Sequence, residues 1–104
     1  MSNVWDGYND SYDANVRLII LRELEEETSK SLHDSMLLRT LKRFGIRRGP
    51  DYLAAQLKWL ELDAGAIRCH RAGSVIVAQL TQAGALHLSR DVLILGVEAP
   101  GLPR

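Results

Sequence analysis

Eight basic residues crowd the middle of this chain: Arg39, Lys42, Arg43, Arg47, Arg48, Lys58, Arg68 and Arg71. Only Asp51, Glu61 and Asp63 oppose them between residues 35 and 71, a local net charge of +5. Residues 1–34 show the reverse, eight acids against three bases and a net of −5, and the 104 residues together sum to zero. A polyanion meets one face of a protein rather than its average charge, so this segregation suits contact with a phosphate backbone. The nucleophilic and metal-binding residue types offer less. Cys69 is the single cysteine, and His33, His70 and His87 add no ligand-like spacing to it. Cys69 and His70 are adjacent, and a strand would point them to opposite faces. No G-x-S-x-G elbow, Walker-type phosphate loop or H-E-x-x-H is present. The expectation is a protein without catalytic residues, metal or cofactor.

The elements that must carry these bases can be read from periodicity. Val16, Ile19, Ile20 and Leu24 recur at helical spacing from Asp13 to about Glu27, with Asp10, Ser11 or Asp13 as candidate N-caps. Ser31 reads as the cap of a second helix, with Asp34 in the capping-box position, and Leu37, Leu38, Leu41 and Phe44 form its apolar stripe before Gly45. Pro50 suits the first turn of a third helix, in which Leu53, Leu57, Leu60 and Ala64 share an arc and Gly65 is the stop. Residues 66–69 and 74–80 alternate as two strands joined around Arg71, Ala72 and Gly73. Thr81 is placed to cap a fourth helix over about 82–89, where Gly84 reads as a mild weakness. The run from Val92 to Val97 is apolar but leaves strand, helical extension and dimer strap all open.

Length and composition bound the result. A chain of 11.6 kDa with 46% hydrophobic and 25% charged residues is one ordinary globular domain with a modest core. One cysteine excludes an internal disulfide and suits a reducing cytoplasm. No uncharged apolar stretch is long enough for a membrane span, and the acidic N-terminus is unlike a secretory signal. The second and third helices, joined by IRRGP, are candidates for a helix-turn-helix whose third helix enters a major groove, with the hairpin as a wing.

The segments VRLIILRELEE, SLHDSMLLRTLKRFGIRRGPDYLAAQLKWLE, GAI, AQLTQAG and GVEAP resemble winged helix-turn-helix DNA-binding domains of the broad ArsR and MarR type. More closely, they resemble small winged-helix proteins encoded by Mu-like bacteriophages and prophages. The resemblance covers about residues 13–100 and implies an α+β fold of three helices, a β-hairpin wing and a C-terminal helix. It also implies a bacterial host cytoplasm and transcription regulation. The cysteines by which ArsR-type domains sense metals are missing. The expected organisation is a flexible N-terminus over 1–12, the winged domain over 13–95 and a tail over 96–104.

On this reading Arg47 and Arg48 reach phosphates beside the third helix, and Tyr52, Gln56 and Lys58 are displayed toward the duplex. Gln56 suits an adenine edge and Lys58 guanine or phosphate, while Tyr52 and Trp59 on one flank are divided between DNA and core. Arg68, His70 and Arg71 line the wing, with Arg68 and His70 on one face and Ile67 and Cys69 inward. Double-stranded DNA is the expected partner, bound by a homodimer joined through the first helix or the C-terminal run. The alternative is a protein–protein module, such as a phage assembly or packaging adaptor. A basic face on the third helix and wing favours DNA, and a hydrophobic one favours protein.

Overall fold

The computed structural model describes residues 4–101. Seven elements follow one another: α1 (Val4–Glu26), β1 (Ser31–His33), α2 (Asp34–Arg43), α3 (Pro50–Leu62), β2 (Ile67–Ala72), β3 (Val75–Leu80) and α4 (Gln82–Leu88). Together they make an α+β domain of four helices and a three-stranded antiparallel sheet in the order β1-β3-β2. The expected stripes form its core except at Phe44, which is exposed past the end of α2: Val16, Ile19, Ile20 and Leu24 from α1, Leu37 and Leu41 from α2, and Leu53, Leu57 and Leu60 from α3 are buried. Ile67 and Ala78 close that core from the sheet. Each large aliphatic side chain buried in this way contributes about 1.5–3 kcal/mol.

α1 begins at Val4, ahead of the expected start at Asp13, so the segment 1–12 anticipated as flexible is helical from residue 4. Its residues 1–3 lie outside the described residues. Asp10, Ser11 and Asp13 are therefore interior to the helix and none is its N-cap. A contact distant in sequence lies within the extension, since the Tyr12 ring meets that of Tyr52 on α3 edge to face at 6.2 Å. Local signals alone place a helix start poorly when tertiary packing lengthens it.

The second correction concerns Ser31. It opens a short strand rather than capping a helix, and β1 pairs with β3 through Ser31↔Gln79, Leu32↔Ala78 and His33↔Val77. Lys30 at φ 60° turns the chain into this strand, and its carbonyl accepts the Leu80 amide at 2.8 Å. α2 then starts at Asp34 with His33 at the cap position and no side-chain cap bond. α3 begins as expected, with Pro50 in its first turn.

The hairpin is longer than the alternation suggested. β2 runs on through Arg71 to Ala72, which pairs with Val75, so the turn lies at Gly73 and Ser74. Gly73 at φ 63° supplies the positive angle that such a two-residue turn needs at its first central position. Thr81 caps α4 as anticipated: its Oγ1 accepts the Gly84 amide at 3.3 Å and donates to the Gly65 carbonyl at 2.6 Å. Gly84 is no weakness here. It is buried where α4 meets residue 66, and a Cβ at that position would lie 2.4 Å from the Ala66 carbonyl oxygen.

The apolar run after α4 is neither strand nor helix, and part of the expected tail belongs to the domain. Val97 and Pro100 are buried, and the Glu98 amide donates to the Ala14 carbonyl at 3.1 Å. Fully buried His87 fastens this strap. Its Nδ1 accepts the Ile94 amide at 2.9 Å and its Nε2 lies 2.8 Å from the Glu98 carbonyl oxygen. An amide can only donate and a carbonyl can only accept, so the neutral Nε2–H tautomer satisfies both.

Candidate nucleic-acid interface

Three of the central bases converge where α2 hands over to α3. Buried Ile46 anchors the link between the helices, while Arg47 and Arg48 remain exposed beside it. With Lys42 from the last turn of α2 they line a cleft of about 400 Å³. Among the described residues, the side chains of Lys42 and Arg47 make no hydrogen bond or ion pair, and that of Arg48 makes only ring contacts. The Arg48 guanidinium carbon lies 4.7 Å from the centre of the Tyr52 ring and 5.1 Å from that of Tyr12. The two rings meet edge to face at 6.2 Å. Burial, followed by the bond to the Asp13 carboxylate, holds the Tyr52 hydroxyl well above the ordinary tyrosine pKa. Tyr52 is thus half-buried between α1 and the link, taking the packing role of the two that the sequence left open rather than outward display.

The outward face of α3 consists of Asp51, Ala54, Ala55, Lys58 and Leu62. Gln56, expected to reach a base edge, is only 6% exposed and faces α1. Its Oε1 accepts from Arg17 Nε at 2.8 Å, and Arg17 Nη1 donates to the Gly96 carbonyl at 2.9 Å. The same guanidinium stands 3.7 Å from the centre of the Trp59 ring. Gln56, Arg17, Trp59 and Gly96 therefore form one joint between α1, α3 and the strap, which withdraws Gln56 and Trp59 from any external ligand. Arg17 escaped the sequence reading. A base set among Val16, Leu18, Ile19 and Ile20 was the available signal, because a charge there needs an internal partner.

The hairpin divides its three bases. Arg68 pairs across to Gln79 and His70 to Val77, so both side chains stand on the sheet face away from α3, as the alternation indicated. Arg71 stands on the opposite face and shares a trough of about 200 Å³ with Lys58, Glu61, Leu62, Cys69 and Ile76. A neighbouring groove of about 180 Å³ continues past Ala54 and Leu57 to Leu38 and Leu53, with Asp34 at its margin. Glu61 bridges helix and strand, its carboxylate accepting the Cys69 amide at 2.7 Å. Burial first, and then the Glu61 charge, push the Cys69 thiol up to about 11.

The expected site residues therefore fall into separate groups. Arg47, Arg48 and Tyr52 come together at the α2–α3 link, where Lys42, which was not among the expected site residues, joins them, and Lys58 meets Arg71 beside the hairpin. Arg68 and His70 lie on the far sheet face, and Gln56 lies inside. Among the described residues no group of three or more His, Cys, Asp or Glu could hold a metal ion. Among those residues, too, no helix is long and apolar enough to cross a membrane. Comparison with known proteins finds no matching family model, no matching curated protein and no matching solved structure.

Proposed function

We propose that this domain is a winged helix-turn-helix that binds double-stranded DNA as a non-enzymatic regulator in a bacterial host of a Mu-like phage. The observation that carries the reading is the order helix–strand–helix–helix–strand–strand, with β3 between β1 and β2 and a basic link joining α2 to α3. That arrangement suits insertion of α3 into a major groove with a hairpin alongside. Arg47 and Arg48 then flank the N-terminus of α3 at one phosphate run, and Arg71 with Lys58 supplies a second. Withdrawal of Gln56 leaves Ala54 and Ala55 as the groups facing base edges. Alanine methyls suit thymine methyls but accept no hydrogen bonds, so phosphate contact dominates affinity and sequence preference is shallow.

A duplex titration at several salt concentrations tests this. Log affinity is expected to fall linearly with log salt, by roughly 0.9 for each phosphate neutralised. Replacing Arg47 and Arg48 together by alanine should flatten that slope by about 1.8 and weaken preferred and random duplex alike. An unchanged slope in the folded double variant refutes the assignment. Pairing of two copies through Val92, Leu93 and Leu95, all exposed on the strap, belongs to the same proposal, and sedimentation of the Leu95→Asp variant tests it.

One observation favours the second reading, a protein–protein adaptor in phage assembly or packaging. The grooves along α3 are lined by Leu38, Leu53, Ala54, Leu57, Leu62 and Ile76, and Phe44 is exposed elsewhere on the domain. Failure to bind duplex even at low salt would select this reading.

A further inference from the structure

We infer that the cleft bounded by Lys42, Arg47 and Arg48 is a phosphate-binding site in which Arg48 is held in place by Tyr12 and Tyr52. For a phosphodiester this inference rests on the proposed DNA binding, whereas for free phosphate it stands without it.

Among the described residues three cations line the cleft and no carboxylate does. Like charges sharing a concave surface repel one another, and an anion between them removes that cost. Their neighbour Arg43 does not join them, because its Nη2 donates to Thr40 Oγ1 at 3.2 Å. Lys42 stands in the last turn of α2, where the helix dipole favours a cation.

Arg48 differs from a solvated surface arginine. Two aromatic rings lie within 5.1 Å of its guanidinium carbon, and the rings are themselves fixed edge to face. Contacts to ring faces leave the N–H groups along the guanidinium edge, whose planar fork matches phosphate oxygens. Tyr52 is oriented in turn by Asp13 on α1, so the chain Asp13–Tyr52–Arg48 couples the central helix to the cleft. Ordering the arginine before the ligand arrives lowers the entropy lost on binding. Tyr52 and Tyr12 are thus positioning residues, and Lys42 is a third phosphate ligand on an element the basic link does not include.

Charge and positioning leave different signatures, which the full chain can report. Calorimetry with inorganic phosphate and with pyrophosphate probes the free anion, and the duplex salt titration probes the phosphodiester. Lys42→Ala should weaken both free anions and flatten the duplex salt slope by roughly 0.9. Arg48→Lys and Tyr52→Leu keep the number of cations, so the slope should stay unchanged while affinity falls about two- to fivefold. Tyr52→Phe, which keeps the ring and loses only the Asp13 bond, should lose less. If Tyr52→Leu does not fold, Arg48→Lys carries the same reading from the surface.

Each outcome decides a claim. Duplex binding whose slope ignores Lys42→Ala overturns the cleft and leaves the proposed function standing. Pyrophosphate binding that is lost in Lys42→Ala, in a protein that ignores duplex, keeps the cleft and overturns the proposed function. Full affinity in both Arg48→Lys and Tyr52→Leu removes the positioning role. Absence of both anion and duplex binding overturns both claims.

Discussion

Gly84→Ala sets two physical effects of opposite sign against each other. In an open helix the change is favourable, because alanine exceeds glycine in helix propensity by about 1 kcal/mol. α4 has only seven residues, so the gain would be welcome. The joint beneath it reverses the sign. A Cβ on Gly84 would lie 2.4 Å from the Ala66 carbonyl oxygen and 2.7 Å from Leu80 Cδ1. The leucine methyl can rotate away, but the carbonyl is held by the Thr81 amide at 3.0 Å, and the Ala66 amide is bound to the Leu60 carbonyl at 2.9 Å. Reaching ordinary contact at 3.4 Å needs a backbone movement of about 1.0 Å, the difference between those two separations. Overpacking of this kind costs about 1–3 kcal/mol, and weakening the Thr81–Ala66 bond adds about 1 kcal/mol. After subtracting the propensity gain, the variant should be less stable by about 1–3 kcal/mol. For a domain of this size that lowers Tm by on the order of 5–20 °C. Urea denaturation followed by circular dichroism should show an earlier midpoint with an unchanged slope. A variant as stable as the parent, or more stable, would refute the reasoning about the joint.

Three further outcomes follow from the same packing. Leu57→Ala empties a site that is 1% exposed and should cost about 2–4 kcal/mol by chemical denaturation, with a loss below about 1 kcal/mol counting against its burial. His87→Leu removes the partner of both the Ile94 amide and the Glu98 carbonyl, so stability should fall by about 2–5 kcal/mol. Hydrogen exchange at Ile94 should accelerate at the same time, and unchanged protection there would show that the strap is not held through this ring. The Cys69 thiol, raised from its ordinary 9.0 to about 11, keeps its proton longer in the folded than in the unfolded chain. Its contribution to stability is therefore constant below about pH 9 and declines as pH rises toward 11, and Cys69→Ala should remove the part of the alkaline decline that begins near pH 9, below the onset expected from Tyr52.

The helical stripes were legible because each depends on spacing within one segment. Leu37 and Leu41 or Leu53, Leu57 and Leu60 repeat every three or four residues, and burial of one face follows from the helix period. Thr81 was readable for the same reason, since a cap acts within three residues. What escaped depends on partners far along the chain. β1 is only three residues long and owes its existence to β3, so Ser31 looked like a cap until Gln79 was placed opposite it. Gln56 looked like a displayed amide until Arg17, 39 residues away, was found against it. Gly84 was judged by helix propensity, whereas its necessity comes from a carbonyl 18 residues earlier. The interface divides along the same line. Lys42, Arg47 and Arg48 are close in sequence and meet in space, whereas strand alternation sends Arg68 and Arg71 to different faces.

The carboxylate of Glu61 has a consequence for what the sheet can become. β2 is an edge strand, and the Cys69 amide at its middle is turned away from β3 toward that carboxylate. An open edge of this kind invites strand addition from another chain, the first step toward aggregation of sheets. Glu61 occupies the central donor and places a negative charge beside the strand, so an incoming backbone finds its acceptor position already filled. The sheet is stopped at three strands on this side. Loss of this one carboxylate would reopen the β2 edge to an added strand without disturbing a single core leucine.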